Sequence, residues 1–369
     1  MAENSERDWF ITPPLSLALD LVRIAAALAV LAAHAAQLGV YQGPWPFSEM
    51  FQHGAVIVFF VLSGLVIAQA TLSRPTTMRD YAIARVTRIL PVAVPAALFG
   101  IAAIALAWSL GFDEFVRPVA VERLDGHGVP YPLLIIGQLS SGYGPAWNPP
   151  IWSLSYEIWF YALFGAAVFC PPERRKLVLI LLMLAAGPRI LLLAPVWLGG
   201  VWLALHGTRW RLSSTQGAAA VTVGVLACVF LCQSAPALAD GLSDATGIGL
   251  GRLRFSQYFL SDWAMTPAVA LAFVGLRPLA EKVAPWLECN AGAIRMLAGA
   301  SFTLYLMHWP LLSLLRMGGL ACTSPLGGLA LLGAIQLAAL GIARFTEARR
   351  YTLRARVSRW FEVRSAIAT

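Results

Sequence analysis

The stretch Leu19–Gly39 reads LDLVRIAAALAVLAAHAAQLG. Its run of Ala, Leu, Val and Ile predicts a helix that crosses a bilayer, which takes about 20 apolar residues. Two ionisable side chains lie inside it, Arg23 near one end and His34 deeper. Because a charged group in the hydrocarbon region is costly, an ionisable residue in such a helix indicates a functional site.

Arg23 and His34 are eleven residues apart. In an α-helix that separation is about three turns plus roughly 20°, so both side chains lie on one helix face, about 16 Å apart along the axis. Asp20 lies one turn before Arg23 and can pair with it. The alternative is that Arg23 reaches the membrane surface while His34 caps the far end of the helix.

The composition is that of an integral membrane protein. The 369 residues are 59% hydrophobic and 12% charged, and the mean hydropathy is +0.70. Soluble domains carry about 25% charged residues. We therefore predict an all-α, polytopic membrane protein. The net charge of +8 is explained by where the basic residues lie, so we expect no nucleic-acid partner.

About ten apolar segments are long enough to be transmembrane helices. They are 16–38, 52–72, 89–110, 150–170, 177–193, 194–206, 216–236, 258–276, 297–316 and 327–346. Region 177–206 is interpreted as two spans broken at Leu193–Pro195, or as one span and a re-entrant piece. Segment 131–140 is too short to cross the bilayer and is predicted to be interfacial or re-entrant.

Basic residues orient these spans. With the N-terminus in the cytoplasm, most of the 27 Lys and Arg residues fall on the cytoplasmic side, as the positive-inside rule requires. Both termini are therefore predicted to be cytoplasmic. Residues 1–14 form a polar N-terminal segment unlike a cleavable signal peptide, and 15–346 form the transmembrane domain. Residues 347–369 form a basic tail on the anionic lipids of the inner leaflet.

The five cysteines do not predict a metal site. Cys228 and Cys232 are one helical turn apart, which would suit a metal pair, but no His or third Cys accompanies them. We therefore expect these two residues to be small packing residues, and we expect no bound metal.

The second and third predicted spans carry features suited to a ligand. Ser63–Gly64 is a small pair in a bulky apolar helix and lets either a partner helix or a ligand approach the backbone. Arg85 and Arg88 are three residues apart and precede Pro91 closely. Their guanidinium groups suit phosphate recognition. The alternative is ordinary positive-inside charge.

The fourth predicted span begins WNPPIWSLSYEIWFY. Ser153, Glu157 and Tyr161 are spaced four apart and share one helix face. An acid inside a lipid-buried helix needs a cation or a water-filled cavity, so Glu157 is a candidate functional group. Trp152 belongs either to the site or to the interfacial aromatic belt.

The ninth predicted span reads GASFTLYLMHWPLLSLL. Ser301, Tyr305 and His308 form a polar stripe in an otherwise apolar helix. Pro310 is expected to kink this helix. Two intramembrane histidines, one acid and several arginines together predict an aqueous cavity.

Taken together, these signatures resemble the acyltransferase 3 family of membrane O-acyltransferases. The motifs that carry the resemblance are Arg-x10-His in the first span, FFVLSG at 59–64, RxxRILP at 85–91, WSLSYEIWFY at 152–161 and SFTLYLMHWP at 301–310. They occur in the family's order over most of the chain. The resemblance implies that the transmembrane domain moves an acetyl or other short acyl group from acyl-CoA to a hydroxyl of a sugar.

The resemblance also implies roles for the marked residues. The expected catalytic set is His34, Arg23 and Glu157, the donor-binding set is Arg85, Arg88, Ser63 and Gly64, and the substrate-binding set is Trp152, Ser153, Tyr305 and His308. His34 is expected to act as a general base or as a transient acyl carrier, and both possibilities remain open. Glu157 is expected to orient His34 or to balance its charge.

The expected co-substrate is acyl-CoA, with acetyl-CoA as the first choice, and no permanently bound cofactor is expected. We expect the CoA arm to run along the Arg23–His34 face. The acceptor, a carbohydrate, glycolipid or small molecule, is expected to enter from the opposite side beneath the loop 109–150. The expected location is the bacterial cytoplasmic (inner) membrane, with membrane lipids as further partners.

Two other functions fit parts of the pattern. A proton-coupled transporter or flippase could relay protons through His34, Glu157 and His308, although the sequence shows no internal repeat. A non-enzymatic membrane sensor could have kept the same scaffold. The complete set of motifs favours the acyltransferase.

Overall fold

The structure is a computed structural model that describes residues 8–47, 50–112 and 148–367. These residues form helices and their connections, and the described part contains no strand beyond an isolated bridge between Tyr41 and Cys322. The all-α prediction is therefore confirmed.

Helices in the described residues are named here in chain order. They are α1 (Pro13–Gln37), α2 (Phe51–Leu72), α3 (Met78–Ser109), α4 (Trp152–Phe169), α5 (Pro172–His206), α6 (Ser214–Thr246), α7 (Phe259–Lys282), α8 (Ala284–Cys289), α9 (Ala291–Gly299), α10 (Ser301–Met317), α11 (Pro325–Ala343) and α12 (Arg350–Ile367). Short 3-10 turns lie at Pro149–Ile151, Gly207–Arg209, Leu250–Ser256 and Glu347–Arg349.

Eight helices in the described part of the chain are long and apolar enough to cross a membrane. They are Pro13–Gln37, Phe51–Leu72, Met78–Ser109, Pro149–Phe169, Pro172–Arg209, Ser214–Thr246, Leu250–Lys282 and Pro325–Trp360. This finding supports the predicted multi-pass membrane protein. About ten spans are predicted from the sequence. The difference from the eight observed in the described residues arises at two places in the chain.

The first difference concerns α5, which contains both predicted spans 177–193 and 194–206. The helix is interrupted at Gly187, with φ 77° and ψ 171°, so the predicted break at Leu193–Pro195 is wrong. Glycine adopts a positive φ without a steric penalty, and Pro188, which follows it, has no N–H to continue the preceding turn. The chain therefore bends at the glycine.

The second difference concerns α10, which corresponds to the predicted span 297–316. It has 17 residues, at the lower end of the range of about 17 to 25 that cross a bilayer. Pro310 lies inside it, as predicted. Segment 131–140 lies outside the described residues, and the cytoplasmic placement of both termini stays a prediction.

The first of two compact units consists of Met1–His34, Trp45–Pro75 and Ala186–Ala298. Within it, α6 packs along α7, and both helices contact α2. Glycines allow the close approach, since a Cβ built on Gly217 would lie 2.6 Å from the backbone oxygen of Gly275. Lipid tails are as apolar as the side chains, so no hydrophobic effect drives membrane helices together. They associate instead through close backbone packing at small residues.

The second unit consists of Ala35–Pro44, Thr76–Ala185 and Gly299–Thr369. Within it, α10 packs against α3 and α11. α4 also contacts α3. Most of the polar residues that the sequence analysis marked in α3, α4 and α10 therefore belong to one compact unit.

The basic tail predicted at 347–369 is largely the helix α12, which packs along α3. Arg79 fixes this contact by donating from Nη2 to the backbone oxygen of Ser358, at 2.9 Å. The tail helix is therefore held against α3 within the second unit. Its contact with lipid stays a prediction.

Candidate functional site

Arg23 and His34 lie on one continuous helix, α1, so the predicted spacing on a single face applies. Arg23 donates from Nη1 to the carboxylate of Asp20 at 2.7 Å, which confirms the predicted pair. The two paired side chains are about one-fifth exposed. His34 lies in the last turn of α1 and is only 9% exposed. Protein therefore covers most of the surface of His34.

Ser63 and Gly64 contact α5 within the first unit. The Ser63 hydroxyl accepts a hydrogen bond from Nε1 of Trp197 at 3.3 Å. A Cβ on Gly64 would overlap the backbone oxygen of Trp197. These contacts agree with the helix-packing alternative, and a role in donor binding stays a prediction.

Glu157 and Tyr161 are joined on α4, as their four-residue spacing predicts. The Tyr161 hydroxyl donates to Oε1 of Glu157. The backbone oxygen of Tyr161 accepts from the hydroxyl of Tyr81 at 3.0 Å, which ties α4 to α3. The carboxylate is therefore held against a tyrosine at the contact between these two helices.

Arg85 lies close to the rings of the two tyrosines just described, Tyr81 and Tyr161. Its guanidinium carbon is 5.7 Å from the ring centroid of Tyr81 and 5.5 Å from that of Tyr161, within cation–π range. The Nε atom of Arg85 is buried and has no hydrogen-bond partner among the described residues. A half-buried cation with an unused donor is a suitable site for an anionic ligand.

Arg88 lies one turn beyond Arg85 on α3. Its guanidinium carbon is 6.0 Å from the ring centroid of Phe302, near the start of α10. The structure therefore brings Arg85 and Glu157 to Tyr161, and it places Arg88 one turn further along α3 against the start of α10. The cluster of Arg85, Arg88, Glu157 and Tyr161 carries both charge signs within the second unit, and the predicted aqueous cavity stays a prediction.

Glu347 holds the start of α10 beside this cluster. Its Oε1 accepts from the backbone N–H of Thr303 at 2.8 Å and from the Thr303 hydroxyl at 2.9 Å. A carboxylate at a helix N-terminus satisfies N–H groups that have no partner within the helix. The sequence analysis assigned Glu347 to the tail and missed this contact.

Ser153 and Tyr305 form a closed hydrogen-bond network. Their hydroxyl oxygens are 2.7 Å apart. The backbone oxygen of Pro150 lies 3.0 Å from the Tyr305 hydroxyl and 3.3 Å from the Ser153 hydroxyl. Since each hydroxyl has one proton, one of them donates to Pro150 and the other donates to its neighbouring hydroxyl. The network joins α10 to the start of α4. Contact between a substrate and Ser153 or Tyr305 stays a prediction.

His308 and Trp152 are both buried. His308 donates from Nδ1 to the backbone oxygen of Leu304 at 3.3 Å, because a carbonyl cannot donate. Its ring centroid is 5.9 Å from that of Tyr305. Trp152 packs edge-on against Tyr156, with ring centroids 5.2 Å apart. Whether Trp152 belongs to the site or to the interfacial aromatic belt stays open.

A buried pair in the first unit was missed by the sequence analysis. His53 on α2 lies 2.9 Å from the carboxylate of Asp262 on α7, measured from Nε2 to Oδ1. Asp262 is only 1% exposed, and its Oδ2 has no hydrogen-bond partner among the described residues. The sequence feature that could have revealed this pair is Asp262, an acidic residue inside the predicted apolar span 258–276.

Potential metal ligands do not gather in the part of the chain that the structure describes. Cys232 donates to the backbone oxygen of Met50 at 3.3 Å and packs against Gly54, as a packing residue would. Most of the loop 109–150, which is expected to lie above the acceptor, falls outside the described residues: residues 113–147 are not described, and they include Asp113, Glu114, Glu122, Asp125, His127 and Trp147.

Comparison with known proteins gives one match. A family model described as an acyltransferase domain matches residues 16–344. All the site residues predicted from the sequence fall in that range. No curated protein and no solved structure matches the chain.

Proposed function

Because this chain belongs to the acyltransferase 3 family, we propose that it moves an acetyl or other short acyl group from cytoplasmic acyl-CoA to a hydroxyl of a carbohydrate or similar acceptor. The observation that carries this proposal is the match over residues 16–344, nearly the whole chain. The eight apolar helices agree with an enzyme that works within a bilayer.

Acyl transfer to an alcohol has three chemical requirements. The hydroxyl must lose its proton, the oxyanion that forms must be stabilised, and both substrates must be held in line. A neutral imidazole is the natural base near neutral pH. We assign this role to His34, which acts either as the base or as a transient carrier of the acyl group.

Arg85 and Arg88 are proposed to bind the phosphates of the CoA donor. Support comes from the Arg85 guanidinium, which two tyrosine rings flank and whose buried Nε lacks a hydrogen-bond partner in the described residues. Phosphate oxygens accept several hydrogen bonds from such a group. Arg23 is proposed to assist from α1, and the CoA arm would follow the Arg23–His34 face over about 16 Å.

Glu157 is proposed to have an orienting or charge-balancing role in the same reaction. Its bond with Tyr161 supports this role, because a hydrogen-bonded carboxylate keeps a fixed orientation. Ser153, Tyr305, His308 and Trp152 are proposed to shape the acceptor side of the site. The hydroxyl network of Ser153 and Tyr305 gives that side a rigid frame.

The direct test supplies purified protein in lipid vesicles with radiolabelled acetyl-CoA and candidate glycans. Label transferred to the glycan supports the proposal. Proton-coupled uptake by the same vesicles without any acyl transfer would instead favour the transporter or flippase. Comparing the acyl content of surface glycans between deletion and parent strains would identify the acceptor.

A further inference from the structure

Pro310 leaves one carbonyl of α10 without its usual partner. In an α-helix the backbone oxygen of residue i accepts from the N–H of residue i+4. Position 310 is proline, which has no N–H, so Leu306 loses its intrahelical donor. Leu306 is completely buried. A backbone oxygen in such a place needs a donor from elsewhere in the protein.

Asn148 supplies that donor. Its Nδ2 lies 2.6 Å from the backbone oxygen of Leu306, although the two residues are 158 positions apart. Asn148 precedes the 3-10 turn Pro149–Ile151, yet its side chain does not cap that turn. The Asn148 amide therefore hydrogen-bonds to α10 and not to the 3-10 turn that follows it.

This contact fixes the orientation of the amide. The two ends of an asparagine amide differ chemically, since only the nitrogen can donate. Because Leu306 offers an oxygen, the nitrogen of Asn148 must face it, and Oδ1 must point elsewhere. The Leu306 carbonyl therefore sets the orientation of the Asn148 amide.

The remaining atom, Oδ1 of Asn148, has no hydrogen-bond partner among the described residues. The side chain is 0% exposed. Buried amide oxygens almost always accept a hydrogen bond, because leaving one unpaired is destabilising. An oriented and unused acceptor therefore points to a donor on a bound molecule.

Asn148 also borders the candidate site. Two residues later, the backbone oxygen of Pro150 lies within hydrogen-bond distance of the hydroxyls of Tyr305 and Ser153. The residue that accepts from Asn148, Leu306, directly follows Tyr305 on α10. The unused oxygen thus belongs to the segment that joins the polar residues of α4 and α10.

We propose that Oδ1 of Asn148 accepts a hydrogen bond from a neutral donor group of a substrate. That group is either an amide N–H of the pantetheine arm or a hydroxyl of the acceptor. Asn148 then has two separable functions: its nitrogen binds the Leu306 carbonyl that Pro310 leaves without a donor, and its oxygen positions a substrate. This inference rests on the proposed acyltransferase function.

The test separates the two functions by restoring the missing N–H. In Pro310→Ala, residue 310 can donate to the Leu306 oxygen, so Asn148 is no longer needed for that bond. We expect Asn148→Ala to lower the melting temperature of the wild-type background and to have little effect on it in the Pro310→Ala background. Pro310→Leu provides a second background that fills more volume.

The acyl-transfer assay then decides the proposal. If the oxygen contacts a substrate, Asn148→Ala lowers kcat/KM about tenfold even in the Pro310→Ala background, where stability is restored. Asn148→Asp keeps an oxygen acceptor and should recover activity in that background. If the double variant Asn148→Ala/Pro310→Ala is as active as Pro310→Ala alone, the proposal is overturned and Asn148 is only structural.

A further measurement does not depend on the Pro310 variants. The single variant Asn148→Ala should change kcat/KM selectively, for acyl-CoA if the donor is the pantetheine amide and for the glycan if it is the acceptor hydroxyl. An unchanged kcat/KM for both substrates would contradict the proposal. If the unaltered protein transfers no acyl group, the proposed function itself fails, which is a separate outcome.

Discussion

His53 and Asp262 form a buried ion pair or hydrogen-bonded pair, with Nε2 of the imidazole 2.9 Å from Oδ1 of the carboxylate. The pair joins α2 to α7 within the first compact unit. Both side chains are less than one-tenth exposed. A carboxylate in such a place is tolerated only with a partner, so the two residues depend on each other.

We predict that His53→Ala is strongly destabilising. The substitution leaves Asp262 buried without its partner, and breaking a buried pair costs about 3–5 kcal/mol of unfolding free energy. Chemical unfolding of the purified protein in detergent would measure the loss. The double variant His53→Leu/Asp262→Leu is the control, and it should recover most of the stability. A double variant as unstable as the single one would contradict the explanation.

Gly64 predicts a second stability effect. A methyl group at this position would overlap the backbone oxygen of Trp197, which belongs to a helix and cannot rotate away. We therefore expect Gly64→Ala to lower the unfolding free energy by about 1–3 kcal/mol or more, as overpacking does.

Gly241 is the matched control for this substitution. It lies inside helix α6, and a Cβ there would meet no atom within 4 Å. Gly241→Ala should leave stability unchanged or raise it by roughly 0.5–1 kcal/mol through helix propensity. Equal effects of the two substitutions would show that close packing at Gly64 is unimportant.

Arg85 predicts a selective kinetic effect. Arg85→Ala should raise the KM for acyl-CoA by about tenfold or more while changing the KM for the acceptor little, because it removes a charge-assisted contact to phosphate. Arg85→Lys should recover only part of the loss, since lysine cannot bind phosphate with a planar fork.

Arg174 is a suitable control for general charge, because it is an exposed basic residue near the start of α5. Arg174→Ala should leave both KM values within about twofold of the original, as expected for exposed charges. Similar changes in both KM values for Arg85→Ala would argue against phosphate binding by that residue.

Much of the candidate site could be predicted from the sequence because its residues follow the helical period. Asp20 and Arg23 are one turn apart and form the predicted pair. Glu157 and Tyr161 share one helix face, as predicted, and are also joined by a hydrogen bond. Polar residues within long apolar segments stand out clearly. A local pattern was therefore enough to mark α1, α3, α4 and α10.

Contacts between distant parts of the chain could not be predicted in this way. The partners His53 and Asp262 are 209 residues apart, and Asn148 and Leu306 are 158 residues apart. Such pairs depend on which helices pack together, and no local spacing encodes that choice. The break in α5 was misplaced for a related reason, because both a glycine and a proline are able to interrupt a membrane helix.

The central claim is that the imidazole of His34 takes part in acyl transfer. The most direct measurement compares label transfer from acetyl-CoA by the unaltered protein and by His34→Ala, each reconstituted in vesicles at equal amounts of folded protein. The account predicts that transfer falls by at least about a hundredfold, the usual loss for a general base, while membrane insertion and melting temperature are retained. A His34→Ala variant that is correctly inserted and fully active would contradict it.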